Sequence, residues 1–294
     1  MILLIIAVGY AITKAGMFSA KARSDLTNIV IYIVLPCNIF MSFAMGVPRE
    51  VLMQSGIVLL ASFGMQCVNI IWNKILYRKF APERRIVAKY ATITNNAGFM
   101  GLPILEAVFG PIGLLYGAVM IIPMRIFMWT MGLSLFTSTD AKQSAKTLAT
   151  HPCIWAVILG FAYIFAPFEL PTFLSGTISA IGSTTTVLSM LVVGSILSGM
   201  KLKDAIDKNC LYYSFFRLIA IPVLMFTALF LLGAEPLVIG VTVLSAAMPA
   251  AVATAMLADK YNADSDFASR IIFVSTLLSM ITLPVYAMIL LRFI

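Results

Sequence analysis

One stretch of this sequence combines residue types that can bind a small polar molecule inside a membrane. Residues 94–103 contain the adjacent carboxamides Asn95 and Asn96, two glycines that include Gly98, and Pro103, within an apolar segment long enough to cross a bilayer. These residues disfavour an uninterrupted helix. Hydrocarbon tolerates freed backbone N–H and C=O groups only where protein or a water-filled cavity covers them. The stretch is therefore predicted to form half of a binding site at membrane depth.

The composition excludes a water-soluble protein. Of 294 residues, 61% are hydrophobic and 11% are charged, and the mean hydropathy is +1.02, whereas soluble domains average about 25% charged residues. The net charge of +8 comes from lysines and arginines in short loops, so orientation in a membrane explains it better than nucleic-acid binding. The four cysteines are scattered singly without a CxxC pair, and we expect free thiols with no metal or redox role.

Apolar segments of roughly 20 residues are the unit that crosses a bilayer. The sequence predicts an all-α integral membrane protein with ten spans, at 1–13, 24–45, 50–77, 83–110, 111–138, 149–167, 172–199, 208–233, 235–259 and 266–292. The first is short for a full crossing, so either it is a tilted or partly inserted helix or the true start of the chain lies upstream. It lacks the basic region and the cleavage site of a signal peptide.

The distribution of lysine and arginine predicts the orientation of the spans. Loops after odd-numbered spans carry nearly all of these residues, and Arg49 alone follows an even-numbered span. Because cytoplasmic loops are enriched in positive charge, we expect these odd-numbered connections in the cytoplasm. Both chain termini are then outside, and the protein is expected in the plasma membrane.

The two halves of the sequence share a pattern. Aligning Pro82 with Pro236 also aligns Asn95-Asn96 with Pro249-Ala250, so the predicted fourth and ninth spans break at the same depth. The halves are residues 1–138 and 149–294, and the polar stretch 139–148 is a predicted cytoplasmic linker. Since each half has five spans, an odd number, the two repeats must be inverted in the membrane.

Two broken spans that cross would direct two helix N-termini at one point. Each N-terminus carries roughly half a positive charge and free N–H groups, which together favour an anion. Asn96 adds a carboxamide suited to a carboxylate or hydroxyl, and we favour this role over simple satisfaction of the broken backbone. For Asn95 both interpretations stay open. Pro249 and Ala250 form the opposite side of the predicted site.

Arg125 lies near the centre of the fifth span, where an isolated arginine costs about 2.5–3.5 kcal/mol to insert. It could bind a substrate carboxylate through its planar fork, or pair structurally with Glu106 or with carbonyls at a helix end. Glu106 could be a proton-coupling carboxyl, although a boundary position is the simpler interpretation. Pro36 kinks the second span, and Asn38 follows it; both are candidates to line the same cavity.

Signals of an enzyme are missing from the sequence. The single histidine, His151, has no carboxylate at ligand spacing, and HExxH, GxSxG and phosphate-binding glycine motifs are absent. We therefore expect neither catalysis, nor a cofactor, nor a bound metal.

The sequence resembles the auxin efflux carrier family, which includes plant auxin exporters and bacterial malonate-type and malate-type carriers. The resemblance rests on residues 95–103 after a basic loop, the Leu35-Pro36 region, Met248-Pro249 with the following Asp259-Lys260 and Trp129, and it covers essentially the whole chain. It looks like a bacterial member, because the long central hydrophilic loop of many plant carriers is absent.

The resemblance implies two inverted five-helix repeats, crossed broken fourth and ninth helices, elevator-like motion of a transport domain against a scaffold, and transport of organic anions. The family asparagine after the break matches Asn96, but the proline that usually precedes it in plant members is Asn95 here. The polar residue that often follows Pro249 is Ala250, which argues against indole-acid recognition of the plant kind. Arg125 replaces an uncharged polar residue and favours a smaller or more highly charged carboxylate.

Three functional hypotheses follow. The first is a secondary carrier of carboxylate anions that works by alternating access. It contacts membrane lipid, and a homodimer is one of its open oligomeric states. The second is a sodium-coupled carrier of the bile-acid symporter type, which shares the ten-span plan but needs clustered oxygen ligands that the breaks lack. The third is a membrane receptor that binds its ligand without moving it.

Overall fold

The computed structural model describes residues 2–44, 49–136, 149–150, 152–166, 169–199 and 207–293. The predicted linker 139–148 and His151 lie outside these ranges. All regular structure within them is helical; the β-type pairing found there is a single isolated bridge. The prediction of an all-α chain is therefore confirmed for the described residues.

Fourteen α-helices make up the described chain, and they are numbered here in chain order. They are α1 Ile2–Lys14, α2 Ala20–Ile29, α3 Leu35–Ala44, α4 Arg49–Asn73, α5 Pro82–Ile93, α6 Leu102–Phe127, α7 Pro152–Tyr163, α8 Thr172–Ser183, α9 Thr185–Ser198, α10 Lys208–Phe215, α11 Ile221–Leu231, α12 Pro236–Ala246, α13 Ala253–Lys260 and α14 Ser265–Phe293. Wider π-helical turns occupy Val30–Val34, Ala97–Gly101, Met128–Gly132 and Phe216–Ala220, and a short 3₁₀ turn occupies Leu133–Leu135.

Six helical stretches among the described residues are long and apolar enough to cross a membrane. They are Ala20–Ala44, Glu50–Asn73, Ala97–Phe127, Thr172–Ser198, Lys208–Leu231 and Ser265–Phe293. Three shorter apolar helices accompany them: Leu3–Lys14, Pro152–Tyr163 and Pro236–Ala246. Length and composition thus support a multi-pass membrane protein.

Prolines account for three of the π-helical turns. Each of these turns ends two residues before a proline, namely Pro36, Pro103 or Pro222, and the residue before the proline donates its N–H to a carbonyl five residues back. A proline ring inside a regular helix clashes with the carbonyl four residues earlier and supplies no N–H. Widening the turn relieves the clash and leaves carbonyl oxygens free for other donors.

Gly110 divides α6 at the point where the predicted fourth and fifth spans meet. Its φ of 69° and ψ of −162° are not helical, and Pro111 follows. Only glycine adopts such a conformation without strain. The chain therefore changes direction here although hydrogen bonding continues on both sides.

The helices pack as two sets. In the first set, α1 packs along α9, and α3 packs against α7 and α8; in the second, α6 packs against α4 and α12, α10 against α14, and α11 against α12. Contacts between the sets are sparser and run mainly from α3 and α9 to α6 and α14. The first set comprises α1–α3 and α7–α9, and the second comprises α4–α6 and α10–α14. Both interrupted spans belong to the second set.

Glycines let α1 and α9 approach closely. A Cβ atom on Gly194 would overlap the backbone of Ile6 and Tyr10, and one on Gly9 would overlap the backbone of Leu191. Small residues at such positions allow the close van der Waals packing that drives helix association in lipid. The first set is thus held by direct contact between backbones, which cannot yield as side chains do.

Gly194→Ala should lower the stability of the protein, because the added methyl group meets a carbonyl oxygen that cannot move without displacing α1. Overpacking of this kind costs about 1–3 kcal/mol. Thermal unfolding in detergent micelles measures the loss. Gly176→Ala in α8 is the matched control, since nothing lies within 4 Å of its added Cβ and alanine is the better helix former by up to about 1 kcal/mol. Equal melting temperatures for the two variants would contradict this account of the α1–α9 contact.

Candidate functional site

The predicted fourth span is interrupted where the sequence indicates. Helix α5 ends at Ile93, Thr94 is extended with φ −116° and ψ 104°, and Asn96 has φ −85° and ψ 32° before the π turn leads into α6. Because Pro103 donates no N–H, the helix restarts with a widened turn rather than a regular one. The interruption covers three residues, of which Asn95 and Asn96 are the carboxamides.

The predicted ninth span is interrupted as well. Helix α12 ends at Ala246, and α13 begins at Ala253. Pro249 lies between them; it lacks an N–H and disfavours a helical conformation for the preceding Met248. Residues 247–252 therefore leave carbonyl and N–H groups that need partners outside their own helix.

The two interruptions satisfy each other. Asn95 and Ala250 form an isolated antiparallel bridge, and the Asn96 N–H donates to the Pro249 carbonyl at 2.8 Å. The Ala250 N–H donates to Ser275 Oγ of α14 at 3.1 Å. Ala250 is fully buried, and Asn95 is 3% exposed. The structure thus brings four predicted residues, Asn95, Asn96, Pro249 and Ala250, to one place.

The two asparagines differ in what their side chains contact. Asn95 Nδ2 donates to the Ser245 carbonyl at 2.6 Å, and its Oδ1 accepts from the Ala97 N–H at 3.3 Å. Asn95 therefore serves the end of α12 and the start of the π turn at the same time. The Asn96 carboxamide makes no hydrogen bond to a described residue. Among the described contacts, the Asn95 side chain thus bonds to backbone groups, and the Asn96 side chain bonds to none.

Arg125 lies against the restart of the fourth span. A Cβ atom built on Gly98 would be 3.1 Å from Arg125 Nη2, so the absence of a side chain at Gly98 allows this approach. Nη1 contacts Met128 Sδ at 3.6 Å, and Nε is buried without a hydrogen-bond partner among the described residues. No ion pair between described residues includes Arg125. The guanidinium charge is thus next to a helix N-terminus that is itself electropositive.

Glu106 does not pair with Arg125, which was one of the two structural alternatives. Its Oε2 instead accepts from Asn38 Nδ2 at 2.9 Å. Asn38 is buried in α3, one turn after the π turn that Pro36 terminates. Of the side-chain hydrogen bonds joining different helices among the described residues, this one alone connects the first set of helices to the second. Glu106 therefore takes part in a contact between the two sets of helices.

Other polar residues in the seventh span and in the loops also have hydrogen-bond partners. In the seventh span, Thr185 and Ser189 donate to carbonyls of their own helix at Gly182 and Thr185, as membrane hydroxyls commonly do. In the loop before α14, Asp264 Oδ2 accepts from Arg84 Nε at 3.0 Å. Arg84 also contacts Asp207 at 2.8 Å, so it ties together the start of α5, α10 and α14.

Arg217 is the main residue that sequence reasoning missed. It is 1% exposed, and its Nε donates to the Met248 carbonyl at 2.9 Å while Nη1 donates to the Thr92 carbonyl at 3.1 Å. It thus contacts both interrupted spans. The signal was present, since a lone arginine in the middle of the Lys208–Leu231 span is as costly as Arg125.

A polar face on α4 was also missed. Ser62, Gln66, Asn69 and Asn73 recur at helical spacing and are all buried. Ser62 Oγ donates to the Met120 carbonyl, and Asn73 Nδ2 donates to the Lys89 carbonyl. Gln66 Nε2 and Asn69 Oδ1 have no partner among the described residues. Side-chain carboxamides are thus concentrated where α4 meets α5 and α12.

Metal ions in proteins are bound mainly by His, Cys, Asp and Glu side chains. No group of three or more of these side chains among the described residues could hold an ion. The polar groups beside the interruptions are carboxamides, hydroxyls, backbone groups and two guanidiniums, which suit an anionic or neutral polar ligand better than a divalent cation.

Comparison with known proteins agrees with this picture. A family model described as Membrane transport protein matches residues 1–151 and 141–287. An "Uncharacterized transporter" of Methanothermobacter thermautotrophicus is 28% identical over 296 residues, 98% of this chain and 96% of the relative. A "Putative malonate transporter" of Rhizobium meliloti is 25% identical over 291 residues, 95% and 90% of the two chains. "Uncharacterized transporter YfdV" of Escherichia coli is 23% identical over 306 residues, 97% and 94%.

The family model covers most of the sequence, including both interrupted spans and the arginines beside them. The resemblance inferred from residues 95–103 and from Met248-Pro249 is confirmed. The chain belongs to the Membrane transport protein family, that of the auxin efflux carriers.

Proposed function

We propose that the chain is a secondary carrier of small carboxylate anions that binds its substrate beside the two interruptions and moves it by alternating access. The observation that carries this proposal is the position of Arg125. Its guanidinium lies at the electropositive start of a helix segment with no carboxylate neighbour among the described ion pairs. Two like charges brought together in a low-dielectric region favour an anion between them.

Asn96 supplies the second contact of the proposed site. Its backbone N–H is held by Pro249, which fixes the residue, while its carboxamide has no partner among the described residues. A carboxylate could accept from the carboxamide and from the planar fork of Arg125. A small dicarboxylate would leave one carboxylate for each contact. The relative named for malonate makes malonate the first compound to test.

In the same proposal, ten spans form two inverted five-span repeats whose fourth and ninth members cross at the interruptions. The second set of helices, which carries the site, moves against the first set as an elevator. The separate packing of the two sets supports this division. Loop charges favour a plasma-membrane protein with both termini outside.

Arg125→Met should abolish the response to substrate while keeping the fold. The substitution removes the cation that would bind the carboxylate, and it also removes a charge that costs about 2.5–3.5 kcal/mol to insert, so stability should hold or rise. The measurements are uptake of radiolabelled malonate, malate and indole acetate into proteoliposomes, and the shift in melting temperature that each compound causes. Arg78→Met is the matched control, because Arg78 is exposed and its side chain donates to the Lys74 carbonyl rather than to either interruption. Unchanged carboxylate uptake by Arg125→Met would contradict the site.

Replacing the two asparagines separately should give opposite phenotypes. Asn96→Ala should weaken substrate binding about tenfold without lowering the melting temperature, because its side chain has no described partner. Asn95→Ala should destabilise the protein by about 1–3 kcal/mol, because a buried carbonyl and a buried N–H lose their partners. Thermal unfolding with and without malonate separates the two effects. The same melting curve for both variants would argue against the distinction.

Glu106→Gln should make transport independent of a pH gradient. Glutamine can still accept the hydrogen bond from Asn38, so the contact between the two sets persists while the exchangeable proton is lost. Asn38→Ala is the counterpart, since it removes the bond but keeps the carboxyl. Uptake driven by imposed pH gradients, with and without sodium, is the measurement. If transport by Glu106→Gln responds to the pH gradient as native transport does, Glu106 is not the proton-coupling residue. If transport depends on sodium, the bile-acid symporter alternative is favoured.

A further inference from the structure

The carbonyl ends of both interrupted spans face the same stretch of the Lys208–Leu231 span. Tyr213, in α10, donates its hydroxyl to the Ala91 carbonyl at 2.9 Å. Arg217, one helical turn later in the π turn, donates to the carbonyls of Thr92 and Met248. Residues four apart lie on one face of a helix, so the two side chains act from the same side. We call Tyr213 and Arg217 the α10 clasp.

Helix-end carbonyls offset part of the charge of Arg217. The last carbonyls of a helix carry about half a negative charge, and α5 and α12 both end within reach of Arg217. These partial charges help to explain how Arg217 can be 1% exposed without a carboxylate partner in the described ion pairs. Arg125 is in the reverse situation, next to the start of a helix segment. Arg217 therefore has two carbonyl acceptors among the described residues, with Nη2 left without a partner, whereas Arg125 has no oxygen acceptor there.

The π turn that carries Arg217 is held in place by a contact to α14. Pro222 cannot donate to the Leu218 carbonyl four residues earlier, and this free carbonyl accepts from the Tyr286 hydroxyl of α14 at 2.9 Å. The π turn that presents Arg217 is thus also held by α14. A widened turn that is fixed in this way presents its side chain in one orientation.

We propose that Arg217 is a positioning residue that fixes the ends of α5 and α12 relative to each other, so that Asn96 and Arg125 are directed at one substrate carboxylate. This inference rests on the proposed function for the identity of the ligand. Arg217 does not touch the substrate. It acts on the bridge between Asn96 and Pro249, which stays intact only while both helix ends keep their spacing. Its loss therefore raises the KM and leaves the maximal rate of transport nearly unchanged.

Arg217→Lys is the first variant, because lysine keeps the charge but lacks the fork that bonds two carbonyls at once. Hydrogen–deuterium exchange of the purified full-length protein reports on the bridge without any substrate. Peptides covering 94–102 and 247–252 should exchange about tenfold faster, as expected for the loss of one charge-assisted hydrogen bond. Peptides from α1 and α9 should be unchanged, which a general loss of stability would not produce. Arg78→Lys is the matched control.

Tyr213→Phe keeps the test decisive if Arg217→Lys does not fold. It removes one hydroxyl, so exchange should accelerate at the end of α5 and not at residues 247–252. Unchanged exchange at both interruptions in either variant overturns the inference.

Malonate uptake then distinguishes the two proposals. A raised KM for Arg217→Lys with a native maximal rate supports the positioning role, and a native KM overturns it. If the native protein moves no carboxylate, the proposed function fails, and the exchange data alone decide whether the clasp holds the two ends.

Discussion

The structure depends on one pairing: the backbone of Asn95-Asn96 against that of Pro249-Ala250. Neither segment can stay helical with its own residues, and in hydrocarbon neither can leave its N–H and C=O groups without partners. Each is the other's partner. This mutual dependence explains why the two interruptions meet, and why the side chains of Asn95, Arg217 and Ser275 bond to backbone groups there.

The two arginines beside the interruptions differ in the direction of the helices they meet. Arg217 lies at carbonyl ends, where the partial charge is negative, and two of its nitrogens donate to these carbonyls, while Nη2 has no hydrogen-bond partner among the described residues. Arg125 lies against Gly98 at the start of a segment, where the partial charge is positive. The same residue type is therefore structural on one side of the interruptions and unsatisfied on the other. A carrier needs that asymmetry, because a charge that the protein already neutralises cannot bind and release an ion.

Much of this arrangement could be predicted from the sequence because it depends on local chemistry. Carboxamides, glycines and prolines inside apolar segments mark the interruptions, and Pro249 and residues 94–103 were located correctly. Which asparagine would serve the backbone could not be predicted, because the answer depends on the Ser245 carbonyl, 150 residues away in the chain. The hydrogen bond of Glu106 with Asn38, rather than with Arg125, could not be predicted for the same reason, because the two residues are 68 apart in the chain. Arg217 is a different case. The free-energy cost of inserting an arginine in a membrane span singled out Arg125, and it applies equally to Arg217.

Three of the widened turns lie beside residues that connect helices. Pro36, Pro103 and Pro222 each impose a widened turn, and each turn lies next to a residue that connects helices: Asn38, Asn96 or Arg217. In a regular helix the backbone carbonyls accept hydrogen bonds from N–H groups of the same helix, so neighbouring helices can bond only to its side chains. A proline-widened turn frees an acceptor, as Leu218 does for Tyr286. The second set of helices can therefore be joined through its backbone into one body, while α3 reaches it by the single side-chain bond from Asn38 to Glu106 among the described contacts between sets. A body that is tightly joined within itself and loosely joined to its neighbour is the mechanical condition for moving as a unit.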